Sequence, residues 1–494
     1  MEMTATAAER IRQVAPRVVV VGDAILDRWW GGHSRRLSRE APAPVVELRE
    51  AVEVPGGAGN TAANLAALGA RAELVSAIGR DATGEALLAA LVQAGVGTRG
   101  VLQRADRRTV SKTRIVADDQ VLARVDDAPD RDVAGRPATV RALVEALIAA
   151  LADADALVVS DYGAAELPEV VVEALAVAGR PSHLVVDAHD LRRWRGIGPD
   201  VVVPNAEESA KLIARPLGEG RDRRRAASEV ATDLLAASGA GAVIVTLDRD
   251  GAVLLREGAP PMVTSAHPVS ERFAAGAGDT FAAAIAAAAA VGVPLETAMR
   301  LAQGAADVAL AHEGTSVCRG DELIRRLAHP PAALLDWTAL RERIDAHRRD
   351  GRRVVFTNGC FDVLHVGHTT YLQQARDLGD VLVVGVNGDD SVRRLKGPER
   401  PLNPAVDRAG LLAALEWVDY VTVFDEDTPI DLIETLRPDV YVKGGDYSPE
   451  MLAETPVVEA YGGEVHVVDY VPDHSTTLLV DRIRSTRPTS QGVS

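Results

Sequence analysis

Residues Thr357 to His368 read TNGCFDVLHVGH, and this stretch decides the fold of everything around it. The preceding Arg352, Arg353, Val354, Val355 and Phe356 predict a buried parallel strand, and the following TTYLQQARDLG places Tyr371, Leu372 and Ala375 on one helical face. A strand-turn-helix unit therefore carries His365, Gly367 and His368 on its turn. The start of such a helix offers unpaired backbone N–H groups and the positive end of the dipole, while Gly359 and Gly367 let the backbone come close to a bound group. Nucleotidyl transfer builds negative charge on the oxygens of the attacked phosphorus, which imidazole N–H donors can stabilise in a water-poor pocket. For a bare H-x-G-H, a pair of helix-capping or metal-binding histidines is the plainer alternative.

Later segments bear on that choice. They are GVNGDDSVRRLKG (Gly385 to Gly397), RPLNPAVDRAGLLAAL (Arg400 to Leu415), DYVTVFDEDTP (Asp419 to Pro429), VYVKGGDY (Val440 to Tyr447) and HSTTLLVDRI (His474 to Ile483). Together with GCFDVLHVGH they resemble, in order, the cytidylyltransferase-like nucleotidyltransferases. The resemblance makes His365 and His368 phosphate-contacting catalytic groups, Lys396 a phosphate clamp, and Ser475, Thr476 and Thr477 a second phosphate-contacting helix start. It places Phe361, Asp362, Gly367, Arg400 and Lys443 in the same nucleotide site.

A chain of 494 residues is too long for one ordinary core, and the motifs support two domains. Hydrophobic content of 47% with 25% charged residues is ordinary for a globular protein, but 3% aromatics means that the core is mostly Ala, Val and Leu. A formal charge of -17 argues against a general nucleic-acid or anionic-membrane surface and confines phosphate binding to local pockets. Cys318 and Cys360 are the only cysteines, far apart and without a metal-ligand pattern, which points to a reducing compartment and a cytoplasmic protein. MEMTATAAERIRQ lacks the basic start and apolar run of a signal peptide, and the Ala-rich Phe281 to Val291 is too short to span a bilayer.

Towards the N-terminus, Val18 to Val21 followed by GDAILD predicts a buried strand. Apolar runs recur at Leu157 to Val159, Leu184 to Val186, Val201 to Val203 and Val243 to Val245, alternating with helical stretches such as Val140 to Leu151. That rhythm implies a doubly wound α/β sheet. Ligands sit at the C-terminal strand ends of such sheets, where Asp23, Ser160, Asp161, Asp187, Asn205 and Thr246 fall. Pro44 to Leu48 and Thr113 to Val125 alternate like two further strands and would form a small lid sheet over that edge.

Two glycine clusters follow. PGGAGNTAANL (Pro55 to Leu65) is a turn running into a helix, and alone would be a plain turn and cap. AAGAGDTFAAAIAAAA (Ala274 to Ala289) puts Gly276, Ala277 and Gly278 at a helix start, where their N–H groups can face a transferring phosphoryl group. Asp279 beside them can take a proton from a sugar hydroxyl, or serve as a structural N-cap. In order, PGGAGNTAANL, IGRDATGEAL, VPNAEE and GAGDTF resemble the ribokinase-type sugar kinases over roughly residues 15 to 320. The resemblance implies that Asp279 is the catalytic base and that Gly276, Ala277 and Gly278 form the anion hole. Asn205, Ala206, Glu207 and Glu208 would contact ATP and organise magnesium through Glu208, with Thr246 and Gly251 also on the nucleotide. Asp23, Asp27, Gly56, Gly57 and Asn60 would hold the sugar.

LAHPPAALLD (Leu327 to Asp336) breaks helical continuity, so the expected domains are 1–329 and 330–494. The expected architecture is α/β throughout: a ribokinase-like doubly wound sheet with a small β lid, then a Rossmann-like nucleotidyltransferase domain. Kinase followed by nucleotidyltransferase is similar to the bifunctional heptose enzymes of nucleotide-sugar biosynthesis, and SDYGAAEL (Ser160 to Leu167) also looks like that family. The resemblance implies phosphorylation of D-glycero-D-manno-heptose 7-phosphate at O1 and, after a separate phosphatase, adenylyl transfer to heptose 1-phosphate. It implies ATP in both halves, Mg²⁺, sugar phosphates as partners and a homodimer, with no nucleic acid or membrane.

The chain departs from that family in places. Ala164 and Ala165, and then Ala188 and His189 after Asp187, stand where the family has Asp-Tyr-x-Lys-Gly and Asp-Pro-Lys, so two lysines are absent. Arg272, Phe273, Ala274 and Ala275 occupy a segment that usually carries a monovalent-cation Asp. Arg192, Arg193 and Arg195 are the candidates to replace the lost charge. A kinase-like half that only binds ligand, or the same chemistry on another sugar phosphate, stays open as an alternative.

Overall fold

Val18, Val19, Val20 and Val21 are all fully buried, which sets the strand Arg17–Gly22 in the middle of a sheet covered on both faces. The computed structural model describes residues 2–118, 120–127, 136–163, 166–218, 222–266, 275–328, 333–444 and 451–468. The chain divides into two compact units, Met1–Ala328 and His329–Ser494.

The sheet of the first unit has nine strands. From one edge to the other they are Met262–Thr264, Ala252–Arg256, Ala242–Thr246, Val201–Val202, His183–Ala188, Ala156–Asp161, Arg17–Gly22, Arg71–Gly79 and Gly97–Arg104. Those from Ala242–Thr246 onward run parallel, and the first two are antiparallel additions. Alternate valines of Arg17–Gly22 serve opposite faces. Val18 and Val20 pack with the helices Ala58–Leu68, Ala277–Ala290 and Leu295–Leu310. Val19 and Val21 pack with Arg136–Leu151 and Leu167–Ala178. This is the doubly wound arrangement expected. Ala277–Ala290 buries every residue from Asp279 to Ala288, and its small side chains let it lie close against neighbouring helices.

A second, four-stranded sheet has the order Pro44–Gly57, Ala24–Leu37, Ser111–Ala117 and Gln120–Asp127. The stretch Thr113 to Val125, read as one strand, is instead two antiparallel strands joined at Asp118, whose φ is 47°. No Gly, Pro or Asn marks the turn; its signal in the sequence is the polar run Asp118, Asp119 and Gln120, which interrupts the alternation between Ala117 and Val121.

The sheet of the second unit has the order Ala333–Leu334, Tyr420–Phe424, Val381–Asn387, Val354–Gly359, Val440–Gly444 and Glu464–Val468, all parallel. Arg352 and Arg353, expected in the first strand, precede it. Val354–Gly359 lies between Val381–Asn387 and Val440–Gly444, so the winding direction reverses beside it and a crevice opens at its C-terminal end. The TNGCFDVLHVGH loop leaves from that end. Among the described residues no helix is long and apolar enough to cross a membrane.

Candidate active sites

In the first unit Gly276, with φ 86°, is the N-cap of Ala277–Ala290. A Cβ there would come within 2.5 Å of Asn60 Nδ2, so the glycine that turns the chain also leaves room for Asn60 to reach the helix. Asn60 Nδ2 donates to Asp279 Oδ2 at 2.9 Å, and the Tyr162 phenol donates to Oδ1 at 2.7 Å. Thr61 Oγ1 lies 3.4 Å from the same oxygen. Burial pushes Asp279 up to about 6, opposed by the Asn60 and Tyr162 hydrogen bonds, raised further by Asp27 and lowered by Lys112. A carboxylate titrating near 6 is ionised at neutral pH yet basic enough to take a proton from a positioned hydroxyl.

Behind Asn60 stands a closed polar chain. Asn64 Nδ2 donates to Asn60 Oδ1 at 3.1 Å, and Asn64 Oδ1 accepts from Thr280 Oγ1 at 3.0 Å and from the Cys318 N–H at 2.9 Å. Asp27 is buried, accepts from Thr315 Oγ1 at 2.9 Å, and lies 3.5 Å from Arg114. A Cβ on Gly56 would sit 2.8 Å from the Asp27 carboxyl carbon, and one on Gly57, whose φ is 57°, would sit 2.6 Å from the Asp23 carbonyl. Asp23 Oδ2 accepts the Tyr162 N–H at 2.9 Å. The structure therefore brings Asp23, Asp27, Gly56, Gly57, Asn60 and Asp279 together.

Asn205 caps Ala206–Ile213 in a reciprocal capping box: its Oδ1 accepts from the Glu208 N–H, and Glu208 Oε2 accepts from the Asn205 N–H, both at 2.9 Å. The other Glu208 oxygen meets His189 Nδ1 at 2.6 Å, a hydrogen bond that raises the His189 pKa. Glu207 instead turns to solvent and pairs with Lys211. Thr246 bridges to Asn205, and Gly251, at φ 86°, packs its turn against the Thr264 carbonyl. Around Gly278 there is open space. The Asp187 pKa is driven far up by burial and by Asp279, Glu208 and Asp161.

Two of the three arginines proposed to replace the lost lysines are held by carboxylates: Arg193 by Asp161 at 2.9 Å and Arg192 by Asp190 at 2.8 Å. Arg195 packs against Gly239. The cation placed against Tyr162 is Lys112 from the four-stranded sheet, its Nζ 5.2 Å from the ring centroid. Ala164, Ala165 and residues 272–274 lie outside the described residues.

In the second unit His365 is the N-cap of Val366–Arg376, and the His368 N–H donates to the His365 carbonyl at 2.9 Å. The two imidazoles lie 3.9 Å apart between centroids, and Phe361 flanks His368 at 5.3 Å. Phe361 itself has φ 47°, a left-handed conformation for a bulky residue that marks a tightly built loop. Burial, then the neighbouring His365 and Lys396, lowers the His368 pKa to about 4. Gly367 is buried in the first turn. Lys443 Nζ donates to Asn358 Oδ1 at 3.1 Å and to the Tyr441 hydroxyl at 3.2 Å, and burial lowers its pKa.

Asp362 and Arg400, both expected on the nucleotide, face each other at 2.7 Å. Asp362 Oδ1 also accepts the Leu402 and Asn403 N–H groups, so its carboxylate fastens the RPLN segment to the loop. Arg408, fully buried, donates to the Asn403 and Cys360 carbonyls and to Asp389. Ser475, Thr476 and Thr477 lie outside the described residues.

Sequence reasoning missed Tyr162, Thr61, Asn64, Lys112 and Arg408. Tyr162 directly follows a strand end, where ligands gather, and Asn64 lies one helical turn beyond Asn60, so both carried a signal. Nothing in the order of residues marks Arg408 as buried.

Residues 15–321 match the pfkB family of carbohydrate kinases, and residues 356–488 match the cytidylyltransferase-like family. The chain is 40% identical to the bifunctional protein HldE of Alcanivorax borkumensis, over 95% of this chain and 97% of that one. It is 43% identical to the bifunctional protein HldE of Halorhodospira halophila, again over 95% and 97%. Phosphofructokinase-2 from Escherichia coli, in a structure with potassium, shares the fold with a TM-score of 0.52 and 22% identity, over 64% of this chain and 98% of its own.

Proposed function

The chain belongs to the family of the bifunctional HldE proteins, and on that premise we propose that it carries out two separate steps towards ADP-heptose. The Met1–Ala328 unit phosphorylates D-glycero-D-manno-heptose 7-phosphate at O1 with ATP. The His329–Ser494 unit transfers the adenylyl group of a second ATP to heptose 1-phosphate and releases pyrophosphate. The carrying observation is the constellation of Asp279, Asn60 and the Gly276 turn in a chain whose other unit sets His365 and His368 at a helix start.

In the first step Asp279 takes the proton of the O1 hydroxyl as the O1–phosphorus bond forms and the bond to ADP breaks. The N–H groups at Gly276, Ala277 and Gly278 meet the charge on the moving phosphoryl group. Asp23, Asp27 and Asn60, with Gly56 and Gly57 clearing space, hold the sugar, while the Asn205 to Glu208 turn, Thr246 and Gly251 frame the ATP. Glu208 is an acidic neighbour that helps to raise the proton affinity of Asp187, and two such carboxylates are a donor set that suits Mg²⁺ carried on ATP phosphates. When bound, Mg²⁺ neutralises charge between the β- and γ-phosphates.

In the second step an oxygen of the sugar 1-phosphate attacks the α-phosphorus in line with the departing pyrophosphate. That oxygen is already anionic, so it needs positioning more than deprotonation. His365 and His368 donate hydrogen bonds to the phosphoryl oxygens, with Lys396 and Lys443 adding positive charge. Ser475, Thr476 and Thr477 would supply the second phosphate-contacting helix start. The setting is cytoplasmic and the assembly a homodimer.

The test is to incubate the purified chain with ATP, Mg²⁺ and either heptose 7-phosphate or heptose 1-phosphate, and to follow ADP in the first case and pyrophosphate in the second. Both products should form, and EDTA should silence both reactions. Pyrophosphate without any ADP would favour the alternative in which the first unit only binds, and turnover of other sugar phosphates alone would reassign the substrate.

A further inference from the structure

Tyr162 touches several parts of the first site at once. It follows the strand Ala156–Asp161, and Gly163 after it turns the chain with φ 107°. Its phenol donates to Asp279 Oδ1 at 2.7 Å, and its backbone N–H donates to Asp23 Oδ2 at 2.9 Å. Its ring meets His189 edge-on, 4.9 Å between centroids, and His189 in turn holds Glu208. Lys112 of the four-stranded sheet lies over its face. One residue thus links the proposed base, a sugar-binding carboxylate, the ATP-side glutamate and the lid.

We propose that Tyr162 is a positioning residue for phosphoryl transfer: its hydroxyl fixes the Asp279 carboxylate while its backbone N–H fixes Asp23, so that base and sugar are oriented by one residue. The inference rests on the reading of the first unit as an active kinase. Asp279 is a buried carboxylate with two side-chain donors at short range, Asn60 on one oxygen and Tyr162 on the other. Among the described residues Oδ1 has only Thr61, at 3.4 Å, besides Tyr162, so loss of the phenol hydroxyl leaves that oxygen poorly satisfied and free to rotate. A donor to a carboxylate favours its ionised form. The other charged groups bearing on Asp279 are Asp27, which raises its proton affinity, and Lys112, which lowers it. Asp187 feels Asp279 in the same way, and Glu208 and His189 bear on the cluster through Tyr162 and Asp187.

The sign of the expected effect follows. Asp279 must be ionised to accept the O1 proton, so activity falls on the acid side of its pKa. Tyr162→Phe removes a donor to the ionised form, and the acid limb of the kcat/KM profile for sugar phosphorylation should move to higher pH by about one unit. Activity should largely return on the alkaline plateau. Incorporating 3-fluorotyrosine at position 162 makes the phenol a stronger donor and should move the limb the other way. Recovery of phosphorylation on the alkaline side shows that the first unit is folded, and adenylyl transfer by the same preparations should be unchanged. A wild-type profile with an acid limb, and variants whose limbs coincide with it, would overturn the proposal while leaving the kinase reading intact. A uniform drop at every pH with the acid limb unmoved would also overturn it, making Tyr162 a packing residue. A wild-type chain that makes no ADP from heptose 7-phosphate would overturn both.

Discussion

The imidazoles of His365 and His368 are tilted by 30° to one another with centroids 3.9 Å apart. Two rings this close cannot both hold a proton without strong repulsion, and burial adds to the penalty. His368 is therefore neutral at pH 7 in the nucleotide-free protein, a ring with one nitrogen able to donate and the other able to accept. Replacing His368 by Ala removes one proposed transition-state donor and should lower kcat for ADP-sugar formation by about 10²- to 10³-fold while ATP binding weakens far less. Single-turnover rates and ATP affinity on that variant decide it: an unchanged rate with ruined affinity would make the residue a binding group only.

The same depressed pKa links stability to pH. The folded value of about 4 lies below the ordinary histidine value of 6.5, so as pH falls through that window the unfolded chain takes up a proton that the folded chain refuses. Stability from this group is intact above about 6.5 and declines towards 4. Denaturant unfolding of the full chain between pH 7 and pH 5 should show a loss that His368→Gln reduces. An identical pH slope in the two proteins would contradict the assignment.

Arg408 secures the loop on which the histidines sit. Its side chain is fully buried, with Asp389 and two carbonyls as partners. Asp389 Oδ1 keeps the Ala405 N–H, but Arg408→Ala removes its charge partner and a donor to both carbonyls, and should destabilise the second unit by about 3 kcal/mol or more. Thermal unfolding followed alongside both activities checks this: adenylyl transfer should be lost at a lower temperature than in wild type, and phosphorylation should persist. No change in the temperature at which adenylyl transfer is lost would contradict it.

Gly276→Ala tests the turn of the first site. The position has φ 86°, and the added Cβ would fall 2.5 Å from Asn60 Nδ2, displacing a donor to Asp279. Strain at such a position is worth about 1 to 3 kcal/mol, so phosphorylation should drop about tenfold or more with adenylyl transfer unchanged. Wild-type phosphorylation would mean that the turn is not part of the machinery.

Much of this was legible in the residues. Runs such as Val18 to Val21 and Val381 to Val384 are buried on both faces, and unbroken apolar runs declare a parallel central strand. The GAGD and H-x-G-H motifs lie at helix starts because glycine conformation and capping are local properties of the chain. What stayed hidden depends on direction rather than order. Asp362 sits inside the most informative motif, yet its carboxylate turns to Arg400 and the Leu402 N–H, a partnership that no local pattern encodes. The lost lysines are a similar case. His189 follows the strand His183–Ala188 and binds Glu208, and Lys112 arrives from a different sheet, so the charge around Tyr162 is assembled from separate parts of the chain.

The central claim is that one chain carries two independent chemistries, and Asp279→Asn tests it most directly. The change keeps shape but removes the proposed base, so ADP formation from heptose 7-phosphate should fall by about 10²-fold or more. Pyrophosphate release with heptose 1-phosphate, measured on the same preparation, should stay at the wild-type rate. Equal loss of both activities, or phosphorylation that survives the substitution, would contradict the account.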